Sequence, residues 1–289
     1  MKRDTEVLSR PPRLAPAFAR SLIPRSRGGS PRIPTRSAVI ENLTQDRERL
    51  AAYDRLTGFT LRDDVPPTWL HVLTFPLHIH LLSDPESSIR LLGAVHVSNR
   101  MTLHRPVGAD ERLTLDVHLD ALRPHARGAL VDLIGQVRVD GEPVWDGVST
   151  YLAQGVSVEG EPHAVERQLH EPSTPHSLWR LPVGLGRDYR SVSGDPNPIH
   201  TSRIAARVFG FPRPIIHGMW THARALAAIE PRLPPTYTVD VAFTKPILLP
   251  ATVGLTSTPT ATGHAAAVTD RTGTKPHLLM SVVGEPPNK

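Results

Sequence analysis

A change of hydrophobic period, made twice, most limits what this chain can fold into. Thr68 to Leu82 is an apolar run closed by Pro66-Pro67 and Ser83-Asp84-Pro85, long enough for a buried helix, with Pro76 placed to kink it. Alternation then takes over in Ala94–Leu103, Leu113–Leu119, Ala129–Val139 and Val144–Leu152, where Val, Leu, Ile and Thr alternate with polar residues. Asp140-Gly141 between the last two is the clearest hairpin signal. The order then recurs. A helix is predicted over His217–Ile229, then strands at Thr236–Phe243, Thr252–Thr258, Ala265–Thr269 and His277–Val283. Helix first, then an antiparallel run, twice over, predicts an α+β fold of two similar units. The 30 prolines argue against a helical bundle.

Smaller signals mark the boundaries. Residues 1–36 are rich in Arg, Pro and Ser and read as an irregular basic arm, holding Arg10, Arg13, Arg20, Arg25, Arg27, Arg32 and Arg36. A first unit is expected over 37–152, a Pro/His-rich linker over 153–180 and a second unit over 181–289. Ser37–Leu43 reads as a strand, followed by a helix over Arg47–Leu56 with Thr44 as N-cap and Gly58 as its stop. Tyr53 to Gly58 matches Tyr189 to Gly194 in spacing.

With no cysteine, disulfides, thiolate metal sites and cysteine nucleophiles are excluded, and the cytoplasm is the expected compartment. No apolar run approaches the roughly 20 residues that span a bilayer, and Leu14–Ala19, interrupted by Pro16 and closed by Arg20, is no secretory signal. The net charge of +5 fits a solvated arm or attraction to a polyanion, including the phosphates of coenzyme A. Aromatics do not interleave with the arginines, so no nucleic-acid partner is expected. No phosphate-binding glycine motif occurs, and no cofactor is expected. His71, His78 and His80 lack metal-ligand spacing, and no metal is expected. Trp69, Leu73, Leu77 and Leu81 at helical spacing read as core or as channel wall.

The chemistry is concentrated between Tyr189 and Met219. Asp195, Asn197 and His200 lie within six residues on Gly194-Asp195-Pro196-Asn197-Pro198, a segment too rich in proline for a helix. Taken alone, that pentapeptide is also ordinary turn chemistry. Adding water across an α,β-unsaturated thioester needs a group that activates water, a group that protonates Cα, and donors for the thioester oxygen. Asp195 and His200 suit the first two tasks, and Asn197 suits orienting the water. The helix start at His217-Gly218-Met219 offers unpaired N–H groups, with Gly218 allowing close approach.

Three blocks together, Gly194-Asp195-Pro196-Asn197-Pro198-Ile199-His200, His217-Gly218-Met219 and Phe243-Thr244-Lys245-Pro246-Ile247-Leu248-Leu249-Pro250, resemble the MaoC-like hydratases and dehydratases. The whole chain is similar to their long, two-repeat members, including mycobacterial-type 3-hydroxyacyl-thioester dehydratases. That resemblance implies a double hotdog, each helix wrapped by a curved sheet with the acyl chain between them. It implies an (R)-specific hydro-lyase of fatty-acid metabolism acting on coenzyme A or acyl carrier protein thioesters. Asp195 and His200 would be catalytic, Asn197 supporting, and the Gly218 N–H an oxyanion donor. Gly194, Pro198, His217 and Met219 are expected to contact substrate, and a homodimer is possible. A hotdog thioesterase and a non-catalytic acyl-binding subunit are the alternatives. Ala251 departs from the family, whose members often have Gly there. Phe59-Thr60-Leu61-Arg62 follows Gly58, so the first unit has no counterpart of Asp195 or His200 and one active site is expected per chain.

Overall fold

The computed structural model describes residues 3–20, 30–91, 93–163 and 170–284. In chain order the first part comprises β1 (Thr5–Val7), α1 (Leu14–Arg20), β2 (Ser37–Leu43), α2 (Arg47–Thr57), α3 (Pro67–Leu82), β3 (Ala94–Leu103), β4 (Leu113–His125), β5 (Gly128–Val139) and β6 (Glu142–Gln154). The second part comprises β7 (Ser177–Leu181), α4 (Leu185–Ser193), α5 (Arg203–Val208), α6 (Gly218–Ile229), β8 (Tyr237–Phe243), β9 (Ala251–Thr260), β10 (Gly263–Asp270) and β11 (Pro276–Gly284).

The described strands form one sheet in the order β1-β2-β4-β5-β6-β3-β8-β11-β10-β9-β7. Apart from β1, its two wings have the same order: β2-β4-β5-β6-β3 answers β7-β9-β10-β11-β8. The wings join where β3 runs antiparallel to β8, from Ser98 opposite Ala242 to Leu103 opposite Tyr237. Pairing these two strands removes what would be an open edge on each wing. Thr102 and Thr238 share a hydroxyl hydrogen bond of 2.8 Å across the seam. Asp140 and Gly141 both have positive φ, 50° and 86°, as the two-residue β5–β6 turn requires. This is the architecture expected of a double hotdog.

Each wing wraps a helix. In α3 all but two residues are buried, as expected of a helix apolar on every side. Trp69, Leu77 and Leu81 are fully buried core, and each contributes about 1.5–3 kcal/mol by leaving water. Pro76 lies inside α3 without ending it. His78, His80 and His71 go separate ways: His78 Nε2 meets the Ile134 carbonyl at 3.0 Å, His80 meets Glu6 at 3.1 Å, and His71 faces a cavity.

Several sequence expectations are corrected here. The N-terminal segment is not irregular throughout, since β1 pairs in parallel with β2 and α1 buries Leu14, Ala17 and Phe18. Pro16 is the third residue of α1, where a backbone N–H has no helical partner to lose. Arg36 is paired with Glu6 and Asp84 and is not part of a free basic arm, whereas Arg25 and Arg27 lie outside the described residues. Asp46, not Thr44, caps α2, accepting from the Arg49 N–H at 3.0 Å. The segment expected to be linker already contains β7 from Ser177 onward. Ala251 opens β9 opposite Leu181 and needs no left-handed backbone, so glycine is not demanded there. Among the described residues no helix is long and apolar enough to cross a membrane.

Candidate active site

α4 ends at Gly194, whose φ of +78° reverses the chain. Asp195, Pro196 and Asn197 follow as an irregular link to a 3-10 turn over Pro198–His200. Side chains hold this link together. The Asn197 N–H donates to Asp195 Oδ1 at 2.9 Å, and Asn197 Oδ1 accepts from the Ile199 N–H at 3.3 Å. Asn197 therefore acts first as a cap on the turn that presents His200.

His200 is buried, and its Nδ1–H donates to the Ile215 carbonyl at 2.8 Å. That bond leaves Nε2 as the basic nitrogen. The Ile215 carbonyl is itself fixed by the third motif block. Ile216 N–H donates to the Ile247 carbonyl at 3.0 Å, Leu249 N–H donates to Pro214 at 2.8 Å, and Ile215 bridges Leu248. Thus residues 247–249, distant in sequence, set the orientation of the imidazole.

His217 stacks on His200 with ring centroids 3.6 Å apart. Its Nε2 lies 3.7 Å from Asp195 Oδ2, beyond hydrogen-bond distance, and neither ring nitrogen has a partner. Donor atoms of Asp195, His200 and His217 all lie within 4.8 Å of one another. Such a donor set can also hold a divalent cation. The same groups can serve acid–base work, with His200 Nδ1 already engaged by the Ile215 carbonyl. Burial pushes the Asp195 carboxyl above its ordinary range, against the pull of His200, the Asn197 N–H and Arg190. Burial likewise lowers His200, opposed by Asp195 and the Ile215 carbonyl, and holds His217 well below its ordinary value. Burial thus favours the neutral form of both rings.

Gly218 is the first residue of α6, and the first helical bond is Thr221 N–H to the His217 carbonyl. The N–H groups before it have no carbonyl within the helix. A Cβ on Gly218 would lie 2.9 Å from the ring of Phe243, so any other residue would force that ring to shift. The first unit shows why it has no equivalent site. α3 begins at Pro67, in the place Gly218 occupies in α6, and proline has no N–H to offer. The two helices otherwise match: Trp69-Leu70-His71 answers Trp220-Thr221-His222. No counterpart of the Asp195–His200 link intervenes between α2 and α3.

These groups face a cavity of about 480 Å³. Asp195, Asn197, His200, His217, Gly218 and Met219 are on its wall. Gly194 and Pro198, expected to contact substrate, are not: one reverses the chain after α4 and the other starts the 3-10 turn. The wall continues into the first unit along one stripe of α3, through His71, Val72, Phe75, Ile79 and Leu82, and reaches Phe18 of α1. From His71 to Leu82 the helix rises about 16 Å. The stripe Trp69, Leu73, Leu77 and Leu81 is core alone.

A model of the MaoC like domain matches residues 185–278. The 3-hydroxyacyl-thioester dehydratase X of Mycobacterium tuberculosis is 36% identical over 271 residues, covering 93% of this chain and 95% of that protein. The chain belongs to the MaoC-like dehydratases. A crystal structure of the same mycobacterial protein matches with a TM-score of 0.78, covering 86% of this chain and all of the other. A second M. tuberculosis protein described as a double hotdog matches at 0.50 with 13% identity, a likeness of fold only.

Three parts of this MaoC-like site carry no motif. Arg49 of α2 donates to the carbonyls of Val192 and Ser193 at 2.7 and 3.1 Å, so the first unit holds the end of α4 just before Asp195. Tyr151 and His96, also from the first unit, stack at 4.4 Å on the cavity wall, with His96 4.7 Å from Phe243. Gly186 lies against the His200 backbone, where a Cβ would be 2.1 Å from the carbonyl oxygen. Glycine inside a helix costs about 1 kcal/mol relative to alanine, the one signal that would have marked it. Gly186→Ala is expected to displace His200 and lower kcat by about 10²-fold, since misplacement of about 1 Å costs that much. Steady-state kinetics on folded protein check this, and an unchanged kcat would show the contact to be tolerant.

Proposed function

We propose that this protein is a (3R)-hydroxyacyl-thioester dehydratase, equally an (R)-specific enoyl-thioester hydratase, with Asp195 and His200 as its acid–base pair. The supporting observation is the convergence, at one end of an elongated apolar cavity, of Asp195, the free Nε2 of His200 and the N-terminal amides of α6. In the dehydration direction one member of the pair takes the proton from Cα while the other protonates the leaving hydroxyl. Negative charge developing on the thioester oxygen is met by the Gly218 N–H. The product is the trans-2-enoyl thioester plus water, and proton exchange within the pair resets it. The first unit, 37–152, supplies the far wall that accommodates the acyl chain, and 181–289 supplies the chemistry.

The test is loss of the conjugated enoyl-thioester absorbance on adding enzyme, across a series of chain lengths. The expected result is (R)-3-hydroxyacyl thioester with the thioester intact. Release of free thiol would make the protein a thioesterase, and inertness toward every chain length would make it an acyl-binding subunit.

A further inference from the structure

α5 is the least anchored helix of the second unit and follows directly on the catalytic turn. Ser202 caps it, accepting from the Ala205 N–H at 3.2 Å, and Ala206 is its one buried residue. The opposite face presents Arg203, Ile204, Arg207 and Val208 to solvent. Ile204 is 79% exposed and Val208 76%, the highest values among the exposed large hydrophobic residues described. Arg203, Arg207 and the nearby Arg213 make no ion pair among the described residues. No acidic residue occurs between Asn197 and Ile229. The patch adjoins the cavity rim, because Phe209 and Phe211, immediately after α5, line the cavity with Lys245. Asp270, which acts on the lining residue His277 electrostatically, is occupied by the turn at Thr272–Lys275.

We propose that the α5 face is the docking surface for an acidic carrier protein that delivers the acyl thioester into the cavity. This rests on the dehydratase reading and names the carrier for it. Two exposed aliphatic side chains flanked by unpaired guanidinium groups match a partner helix that is acidic with an apolar stripe. A second copy of this chain fits worse, because a twofold contact through this face would set arginine against arginine. Free coenzyme A has no use for exposed Ile204 and Val208. A patch this small suits a partner that must leave after each turnover, as transient encounters bury little surface.

The experiment compares one trans-2-enoyl chain carried by coenzyme A and by an acidic acyl carrier protein, on wild type, on Arg203→Glu/Arg207→Glu and on Ile204→Ser/Val208→Ser. The side chains exchanged are exposed, and none lines the cavity. The expected result is a KM for the carrier-bound substrate raised about tenfold in each variant, with kcat unchanged. With the coenzyme A substrate, both constants should stay within about twofold of wild type. Equal changes for the two substrates, or none for either, overturn the docking surface. So does a wild-type dimer that Ile204→Ser/Val208→Ser converts to monomer in light scattering, since the face would then be covered by a second copy. A wild type that hydrates neither thioester refutes the dehydratase reading and not the surface alone.

Discussion

Asp195→Asn is expected to lower kcat by about 10²–10⁴-fold while the fold survives, the range for removing a general acid–base group. The substitution suits the structure, because an asparagine Oδ1 still accepts the Asn197 N–H that Asp195 accepts at 2.9 Å. What is lost is the ability to hold or release a proton. His200→Gln is expected to fall in the same range, since an amide can still donate to the Ile215 carbonyl but has no basic nitrogen to replace Nε2. Rates on thermally intact variants decide the matter. A variant that keeps wild-type kcat takes its residue out of the mechanism.

The second large effect is on folding at acid pH. His78 is held down to about 4, His96 to about 3 and His222 to about 3, all primarily by burial. His222 is fully buried with neither ring nitrogen paired. Their folded values lie below the unfolded value near 6.5, so the unfolded chain binds the protons that the fold refuses. The stability these histidines leave intact is whole above about pH 6.5 and is lost as pH falls toward 4. Each contributes a slope of up to about 1.4 kcal/mol per pH unit, so three reach about 4. A fold stable by about 5–15 kcal/mol is then expected to unfold between about pH 5 and 4. Asp54, pushed up to about 7 by burial, and Asp195 and Asp240, raised by burial too, act in the opposite sense, but they are outnumbered by the lowered histidines, which also include His71 and His217. Thermal midpoints measured from pH 7.5 to 4.5 test this. A flat profile would mean the histidines are hydrated, and His222→Leu should make the profile shallower by one histidine's share.

Much of this architecture was legible because it rests on periodicity. β3 occupies the span that alternation marked, β2 the short strand read at Ser37–Leu43, and α6 starts within one residue of its prediction. The turn from Asp195 to His200 stood out because three polar side chains crowd a stretch whose prolines forbid regular structure. What escaped notice is contributed from a distance. Nothing local to Arg49 says that it reaches Val192, and nothing near His96 or Tyr151 says that they face a cavity shared with His200. The N-terminal segment misled because its apolar residues are few, and α1 is held by burying Leu14, Ala17 and Phe18 in the common core, against α3 among others. Gly194 and Pro198 were assigned to substrate because they sit inside the motif, where their work is to shape the backbone.

The β3–β8 seam has a consequence for how such an enzyme behaves in dilute solution and over generations of change. Two walls that in a self-associating enzyme would meet by collision are here permanently tethered, so the cavity assembles at a rate and yield that do not depend on how many molecules are present. Specific activity should therefore hold constant on dilution. Because the two walls are encoded separately, a substitution at Phe75 or Ile79 that lengthens or shortens the bay is made once, on one side only. It never reappears beside Asp195 and His200, so on the proposed function the range of chains accepted can drift while the acid–base pair stays fixed.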